Sequence, residues 1–160
     1  FTLNFDYLYT SDTNFVILET GREYGTSYPG EIKKNGKKGI ADLNAKLILP
    51  IKYDEIQVGT HFIYATLAKK TQIFLKNGTA FSNTIYDELY ELSDGYIAYR
   101  IGEKNGILNP DGSVLFPAMF WSTKTEYYYS YDIQSEGQLF KISEGGNYFY
   151  ANRNGELYKE

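Results

Sequence analysis

The sequence predicts an all-β protein made of tandem repeats, and three observations support this prediction. Aromatic residues make up 18% of the 160 residues, with 17 Tyr and 10 Phe, and such side chains suit a half-buried pleated surface. The 15 glycines suit tight turns, and no long segment has the apolar spacing of an amphipathic helix. The sequence also repeats with a period of about 33 residues, which is typical of units that cover one another's apolar faces.

The repeat is clearest around a Tyr-Asp pair. Tyr53-Asp54-Glu55-Ile56 recurs one period later as Tyr86-Asp87-Glu88-Leu89, and GIADLNAKLILP at 39–50 resembles GILNPDGSVLFP at 106–117, two periods later. Fainter copies are QIFLKNGTAFSN at 72–83, FDYLYTSDTNFVIL at 5–18 and NYFYANRNGELYKE at 147–160. Units that start at the Tyr-Asp position span 5–52, 53–85, 86–119 and 120–160, and we interpret them as a single domain over 1–160.

Each unit contains four short pieces with strand character. The first follows the Tyr-Asp position, the third opens at Gly39 or Gly106, and the fourth precedes Pro50 or Pro117. Because proline cannot donate a hydrogen bond to a ladder, we expect each proline to end its strand. The second pieces are apolar runs at 62–67, 96–101 and 139–142.

A turn with recognisable chemistry separates the third piece of each unit from the fourth. Asn-Gly and Asp-Gly tolerate the positive φ that tight hairpin turns require. These dipeptides are Asn77-Gly78, Asp111-Gly112 and Asn154-Gly155, with Asn44-Ala45 as a weaker version.

The two segments KKNGKKGIADLNAKLILPIKYDEI (33–56) and IGEKNGILNPDGSVLFPAMF (101–120) resemble the bacterial WG-repeat family, also called KWG repeats. The tryptophan that defines the family is replaced by Lys38 before Gly39 and by Asn105 before Gly106. The resemblance implies an all-β array of four antiparallel meander units, arranged as a propeller-like ring or as an open curved array. In a closed ring, residues 1–3 would pair near 156–159, which would remove exposed edges.

Two insertions interrupt the repeat. The fourth unit gains about eight or nine residues, filled by TEYYYSYD at 125–132, and insertions in repeats are usually loops on one face. One hypothesis is an extra strand whose odd-numbered face completes the core; the other is an extended hairpin that presents tyrosines to a partner. The first unit gains about 14 residues, ETGREYGTSYPGEI at 19–32, whose glycines and proline indicate an irregular solvated loop.

Charge suggests where a partner would bind. The segment 82–99 carries Asp87, Glu88, Glu91 and Asp94 without Lys or Arg, while the whole chain has a net charge of −4. The segment could form an acidic lip that faces a basic partner. Alternatively, Asp87 and Glu88 are parts of the repeat, since Asp54 and Glu55 occupy the same positions, and take turn or cross-strand hydrogen bonds.

Composition argues against several other functions. The chain has no cysteine, His61 is its one histidine, and no nucleotide-binding or protease motif occurs. We therefore predict no catalytic residue, no metal site and no cofactor. The mildly negative charge argues against nucleic acid, and no apolar run approaches the roughly 20 residues that cross a bilayer.

The leading hypothesis is a non-catalytic protein-binding module. WG-type repeats occur beside bacterial toxins, so the resemblance implies an immunity protein that binds and blocks a toxin, for example a basic nuclease. The predicted partner-binding residues are Glu88, Tyr90, Glu91, Asp94, Glu126, Tyr127 and Tyr128.

The alternative hypothesis is a cell-envelope module that binds glycan or peptide. We expect a cytoplasmic location, or the periplasm or cell surface after loss of a leader, because the sequence starts at Phe1 and not at Met.

Overall fold

The computed structural model describes residues 5–10, 14–24, 32–34, 36–92, 95–130 and 135–159, with the backbone alone at 24, 32–34, 122–130, 135–138 and 159. Strands account for 63% of the structure, and no α-helix occurs among the described residues. The predicted all-β class is therefore confirmed. Within the same ranges, no helix has the length and apolar character needed to span a membrane.

The strands form four antiparallel sheets that follow one another along the chain, and one short ribbon. The first sheet contains β1 (Tyr7–Thr10), β2 (Phe15–Thr20), β5 (Lys37–Asp42) and β6 (Leu47–Tyr53); β3 (Glu23–Tyr24) and β4 (Ile32–Lys34) form the ribbon between β2 and β5. The second sheet contains β7 (Glu55–Val58), β8 (Phe62–Leu67) and β9 (Lys70–Leu75). The third contains β10 (Glu88–Glu91), β11 (Ile97–Ile101), β12 (Lys104–Leu108) and β13 (Val114–Phe120). The fourth contains β14 (Ser122–Ser130), β15 (Ser135–Glu144), β16 (Asn147–Ala151) and β17 (Leu157–Lys159).

Each sheet is a meander in which strands that are neighbours in the sheet follow each other in the chain, apart from the inserted ribbon. The predicted antiparallel organisation is therefore confirmed at the level of four sheets. A ring or an open curved array remains a prediction, and residues 1–3, which would close a ring, lie outside the described residues.

The chain divides into two compact units, Phe1–Ile85 and Tyr86–Glu160. In the first compact unit, apolar side chains from the first and second sheets share one core, which includes Ile17, Ile40, Ile56 and Ile63. In the second compact unit, the third and fourth sheets do the same with Ile107, Phe116, Phe120, Phe140 and Ile142. Burial of apolar side chains in a core of this kind supplies the main driving force for folding. The single domain over 1–160 stays a prediction.

The turn that follows the third strand has the same geometry in all four sheets. One residue of each turn lies in the left-handed region, with φ of 61° at Ala45, 87° at Gly78, 84° at Gly112 and 84° at Gly155. In each turn its N–H donates a hydrogen bond of 2.8–3.1 Å to the carbonyl three residues earlier. This is a tight turn closed by a left-handed residue, so the positive φ predicted from Asn-Gly and Asp-Gly is confirmed.

The expectation that Pro50 and Pro117 end their strands is wrong, because β6 and β13 continue through them. Ile40 pairs with Leu49 and Lys38 with Tyr53, so two steps on β5 match four steps on β6, and Pro50 lies in the resulting bulge. The third sheet repeats this register with Ile107 opposite Phe116 and Asn105 opposite Phe120. A bulge leaves residues outside the hydrogen-bond ladder, and proline is tolerated there because it has no N–H to donate.

The insertion at 19–32 is also more regular than expected. Its first two residues belong to β2, and Glu23 and Tyr24 pair with β4 to form the ribbon. Residues 25–31 lie outside the described residues. Glycine and proline mark where turns fall, but they do not reveal that the flanking backbone groups pair with each other.

Candidate functional site

The inserted tyrosine segment extends the first hairpin of the fourth sheet. β14 has nine residues and β15 has ten, whereas the first strand of each other sheet has four. These two strands pair without interruption from Ser122 opposite Ser143 to Ser130 opposite Ser135. β16 pairs with β15 only from Phe140 to Glu144. Within the described chain, residues 126–130 and 135–139 therefore pair only with each other, and we call these two segments the tyrosine arm.

The register assigns the positions of the arm to two rows. Thr123 is opposite Ile142 and Thr125 is opposite Phe140, and both partners are buried in the core of the second compact unit. Positions 127 and 129 continue this row past Phe140, the last residue of β15 that pairs with β16. Position 128 belongs to the alternate row, which also contains Lys141. The backbone thus forms an extended hairpin, and the presentation of its tyrosines to a partner stays a prediction. Tyr131 and Asp132, at the end of the inserted segment, lie outside the described residues.

Six of the seven predicted partner-binding residues occur on two strands of the second compact unit. Glu88, Tyr90 and Glu91 belong to β10. The register positions of Glu126, Tyr127 and Tyr128 are on β14, and Asp94 lies outside the described residues. The Tyr90 side chain is 44% exposed, so it has the accessibility that a contact residue needs.

Glu88 has a partner within its own sheet. Arg100 lies directly opposite on β11, and its Nη2 donates a hydrogen bond of 2.5 Å to Glu88 Oε1. This hydrogen bond holds the pKa of the Glu88 carboxyl below its ordinary value, even though the side chain is 62% exposed. Sequence reasoning missed this pair, because the acidic segment 82–99 ends one residue before Arg100.

The aspartate of the repeat accepts a hydrogen bond from the backbone at the end of the second strand. The Oδ2 atoms of Asp6, Asp54 and Asp87 accept backbone N–H groups from Gly21 at 2.7 Å, Ala68 at 2.7 Å and Gly102 at 2.8 Å. Each N–H belongs to the residue that follows the second strand of its sheet. The turn hydrogen bond expected of Asp87 and the cross-strand hydrogen bond expected of Glu88 are therefore confirmed, and the contact of Glu88 with a partner stays a prediction.

Two ion pairs join the third strand of the first sheet to the start of the second. Lys37 Nζ donates to Asp54 Oδ1, and Lys38 Nζ donates to Glu55 Oε2 at 2.5 Å. The hydrogen bond from Lys37, together with the Ala68 amide, lowers the pKa of Asp54. Burial acts to lower the pKa of Lys38, but the hydrogen bond and charge of Glu55 raise it above its ordinary value.

The fourth sheet departs from this pattern at Trp121, which occupies the position of the aspartate. Its N–H donates to Ser143 O at 2.7 Å, as Asp54 N–H does to Thr66 O and Asp87 N–H to Arg100 O. The indole is 50% exposed, and Lys104 Nζ lies 4.0 Å from the ring centroid. The sequence contained this signal, because aligning Ser122 with Glu55 places Trp121 at Asp54.

A second aromatic surface that the sequence did not reveal lies on the fourth sheet. Lys141 Nζ is 4.7 Å from the Tyr148 ring centroid and 5.5 Å from that of Tyr150. Tyr150 pairs with Tyr158, whose hydroxyl donates to Glu156 Oε2 at 3.1 Å. Tyr148 and Tyr158 are each 50% exposed. We call Lys141, Tyr148, Tyr150 and Tyr158 the tyrosine row.

The first compact unit contains an ion pair with a buried carboxylate, and an apolar groove. Glu19 is fully buried and accepts hydrogen bonds of 2.9 Å from Arg22 Nε and from the Gly36 amide. Burial acts to raise the pKa of Glu19, but these two donors lower it below its ordinary value. The groove, of about 220 Å³, is lined mainly by apolar side chains, among them Phe5, Leu8 and Leu43.

The described residues contain no cluster of three or more His, Cys, Asp or Glu side chains that could hold a metal ion. Comparison of the chain with protein-family models, with curated proteins and with solved structures gave no match.

Proposed function

We propose that the chain is a non-catalytic protein-binding β-repeat module, and that it acts as a bacterial immunity protein that binds and blocks a cognate toxin. The tyrosine arm carries the proposal, because it extends past the sheet that supports it and contains Tyr127, Tyr128 and Tyr129. Tyrosine offers a large contact area and a hydroxyl at low entropic cost, and is enriched at recognition surfaces. The toxin as the partner follows from the resemblance to WG-repeat proteins.

The engagement of the repeated carboxylates supports a binding role over a catalytic one. Glu88 pairs with Arg100, and Asp87 caps the Gly102 turn. These carboxylates have structural partners that recur in other sheets, whereas a catalytic pair would be singular. In the proposed complex, Glu88, Glu91, Asp94 and Glu126 meet Lys and Arg of a basic toxin, while Tyr90, Tyr127 and Tyr128 fill pockets on it.

The proposed cellular location of the protein depends on where its toxin acts. An immunity protein has to meet its toxin where the toxin acts, which for a nuclease is the cytoplasm. Charge complementarity of this kind acts chiefly on the association rate, so binding weakens as salt rises.

The direct test measures affinity for the toxin encoded next to this protein by titration calorimetry. Replacing residues 127–138 by an Asn-Gly turn joins Glu126 to Leu139, which already face each other, and removes most of the arm. We expect this variant to melt close to the wild-type temperature and to bind the toxin at least about 100-fold more weakly, as loss of an interface hot spot does. Tyr148→Ala, an exposed tyrosine of the same sheet outside the arm, is the matched control.

Unchanged affinity of the arm-shortened variant would contradict the role of the arm. Normal growth of the host after deletion of this protein, with the toxin still produced, would contradict the immunity function.

One observation favours a second candidate, a cell-envelope module that binds glycan. The tyrosine row presents half-exposed rings beside polar groups, with Asn152 Nδ2 donating to Tyr158 OH at 3.2 Å. An aromatic face flanked by hydrogen-bonding groups suits a sugar ring, which has an apolar face and hydroxyls. Polysaccharide affinity that is insensitive to salt and is lost in Tyr148→Ala and Tyr158→Ala would favour this candidate over the toxin.

A further inference from the structure

The four sheets share one position, at which the residue before the first strand meets the backbone just after the second strand. In three sheets an aspartate carboxylate fills it, at Asp6, Asp54 and Asp87. In the fourth sheet the position is held by Trp121, with the same backbone hydrogen bond to the second strand. The fourth sheet therefore keeps the frame of this site and lacks its anion.

Asp54 shows which groups bind the carboxylate at this position. Its carboxylate is bound by the Lys37 ammonium, from the third strand of the preceding sheet, and by the Ala68 N–H, from the turn of its own sheet. The counterpart of Lys37 is Lys104, two repeat periods later, at the same place on the third strand of the third sheet. The counterpart of Ala68 is Gly145, because both are the first residue of the two-residue turn between the second and third strands.

Both counterparts lack an anion in the described chain. Lys104 lies over the Trp121 ring and has no carboxylate partner among the residues that the structure describes. Across the same ranges, no hydrogen-bond acceptor is found for the Gly145 N–H. Gly145 is exposed, and no atom lies within 4 Å of where its Cβ would be, so the turn is open to an incoming group.

We propose that a carboxylate side chain of a partner protein binds at this position, between Lys104 and Gly145, with Trp121 as its apolar contact. The three other sheets select a carboxylate for the same place, and Lys104 supplies the complementary charge. Ile101, which pairs with Lys104 across the sheet and is 43% exposed, adds an apolar side chain next to this lysine. A half-exposed tryptophan beside a cation is the kind of residue that anchors a protein interface. This inference rests on the proposed role in protein binding and adds an acidic contact to the partner.

The chain offers a direct reporter, because Trp121 is its only tryptophan. Tetra-glutamate with blocked ends is titrated while the indole emission is followed, and blocked tetra-glutamine serves as the uncharged probe. We expect tetra-glutamate alone to change the emission, with a midpoint that rises with salt. Lys104→Gln should weaken binding about tenfold, since it removes a charged hydrogen bond. Lys37→Gln, which changes the equivalent lysine that already has Asp54, is the matched control and should leave the titration unchanged.

A second variant tests the site by filling it. Trp121→Asp restores the residue that the other sheets use, so it should bind Lys104 and the Gly145 N–H internally. We expect a higher melting temperature and loss of tetra-glutamate binding by calorimetry, which needs no tryptophan. Trp121→Asn is the control, because asparagine has the shape of aspartate without its charge. It should raise the melting temperature less than Trp121→Asp does.

Equal responses to tetra-glutamate and tetra-glutamine, or a Lys104→Gln titration identical to the wild type, would overturn the proposal. Neither result bears on the tyrosine arm, because the arm-shortened variant retains all three groups of this site. If that variant binds tetra-glutamate but not the toxin, both proposals hold. If the wild type binds the toxin but not tetra-glutamate, only the carboxylate site fails.

Discussion

The Asp54 carboxylate accepts a hydrogen bond of 2.7 Å from the N–H of Ala68, a residue with φ of 51°. Lys69, the other residue of this turn, has φ of 63°. Alanine and lysine are both strained in the left-handed region, which usually belongs to glycine or asparagine. Asp54 thus stabilises a turn whose own residues do not favour it, which is a physical reason for an aspartate at position 54.

Removal of the cap should destabilise the first compact unit. We expect Asp54→Ala to lower the free energy of unfolding by about 1 kcal/mol, the contribution of a typical hydrogen bond. Asp54→Asn should lose less, because its amide oxygen still accepts the Ala68 N–H. Glu103→Gln, an exposed carboxylate in the corresponding turn of the third sheet, is the control. Urea unfolding measures all three, and equal stabilities for Asp54→Ala and the control would contradict the capping role.

Relief of the backbone strain in the same turn should have the opposite effect. We expect Lys69→Gly to raise the free energy of unfolding by about 1 kcal/mol, because glycine adopts positive φ without steric cost. Thermal unfolding followed by circular dichroism would detect the gain. Lys70→Gly, one residue further on and inside β9, should instead be destabilising, since glycine weakens a strand. A loss of stability in Lys69→Gly would show that the turn is not strained.

The glycines opposite the proline bulges should not tolerate a side chain. A Cβ at Gly106 would lie 2.6 Å from Phe116 O and 2.5 Å from Tyr99 Cζ, and one at Gly39 would lie 2.8 Å from Ile51 N. We expect Gly106→Ala and Gly39→Ala each to cost about 2 kcal/mol, as overpacking does in a well-packed core. Gly102→Asn is the control, because no atom lies within 4 Å of its Cβ position and asparagine tolerates its φ of 63°. Chemical denaturation measures the differences, and a Gly106→Ala variant as stable as the control would refute the close contact.

The ion pair between the buried Glu19 and the partly buried Arg22 gives a prediction with a definite dependence on pH. Arg22→Gln leaves a buried carboxylate without its cation and should cost about 3 kcal/mol at neutral pH. Burial then dominates and raises the pKa of Glu19, so protonation relieves the unpaired charge. The stability difference between variant and wild type should therefore shrink as pH falls toward 4. A difference that stays constant from pH 7 to pH 4 would contradict this account.

The wild type should lose stability in acid. The pKa values of Glu19, Asp54 and Glu88 lie below their ordinary values of 4.5, 3.8 and 4.5. The folded state therefore binds these protons more weakly than the unfolded state, and stability is full above the ordinary values and lost as pH falls through the lowered ones. We expect a melting temperature that is nearly constant between about pH 6 and 8 and falls below about pH 4.5. Asp54 and Glu88 are exposed, so Glu19 should contribute most of the decline.

The opposite sign applies at high pH. Burial raises the pKa of Tyr99 above its ordinary value of 10.0, so the contribution of Tyr99 to stability is full below that value and is lost as pH rises through the raised pKa.

The acid prediction has its own contradicting outcome. A melting temperature that rises on acidification below pH 4.5 would contradict the assignment of lowered carboxyl pKa values.

Local chemistry was sufficient to predict the turns and the caps. Gly78, Gly112 and Gly155 have the positive φ that their dipeptides indicated, and Asp54 and Asp87 make the turn hydrogen bonds expected of repeated residues. These features depend on a few adjacent residues, so a single sequence contains the information that specifies them.

Features that depend on distant pairing were predicted less well. Pro50 predicts the end of a strand, because the sequence alone does not reveal the bulge opposite Gly39 that accommodates it. The Arg100 partner of Glu88 depends on the register between β10 and β11, and the tyrosine row depends on the pairing of β15, β16 and β17. Exposure of Tyr148 and Tyr158 could not be separated from burial by composition, because tyrosine is common in both environments.

The bulge registers of the first and third sheets agree pair for pair when they are compared two repeat periods apart. The chain thus contains two copies of a block of two sheets, and each block brings its own hydrophobic interior. Because each block has its own core, a residue of one block can change without disturbing the packing of the other. The first block retains the aspartate that steadies its hairpin, whereas the second can exchange that residue for an indole without altering the scaffold of the first. Residues that differ between equivalent positions of the two blocks are therefore those at which the scaffold tolerates a change.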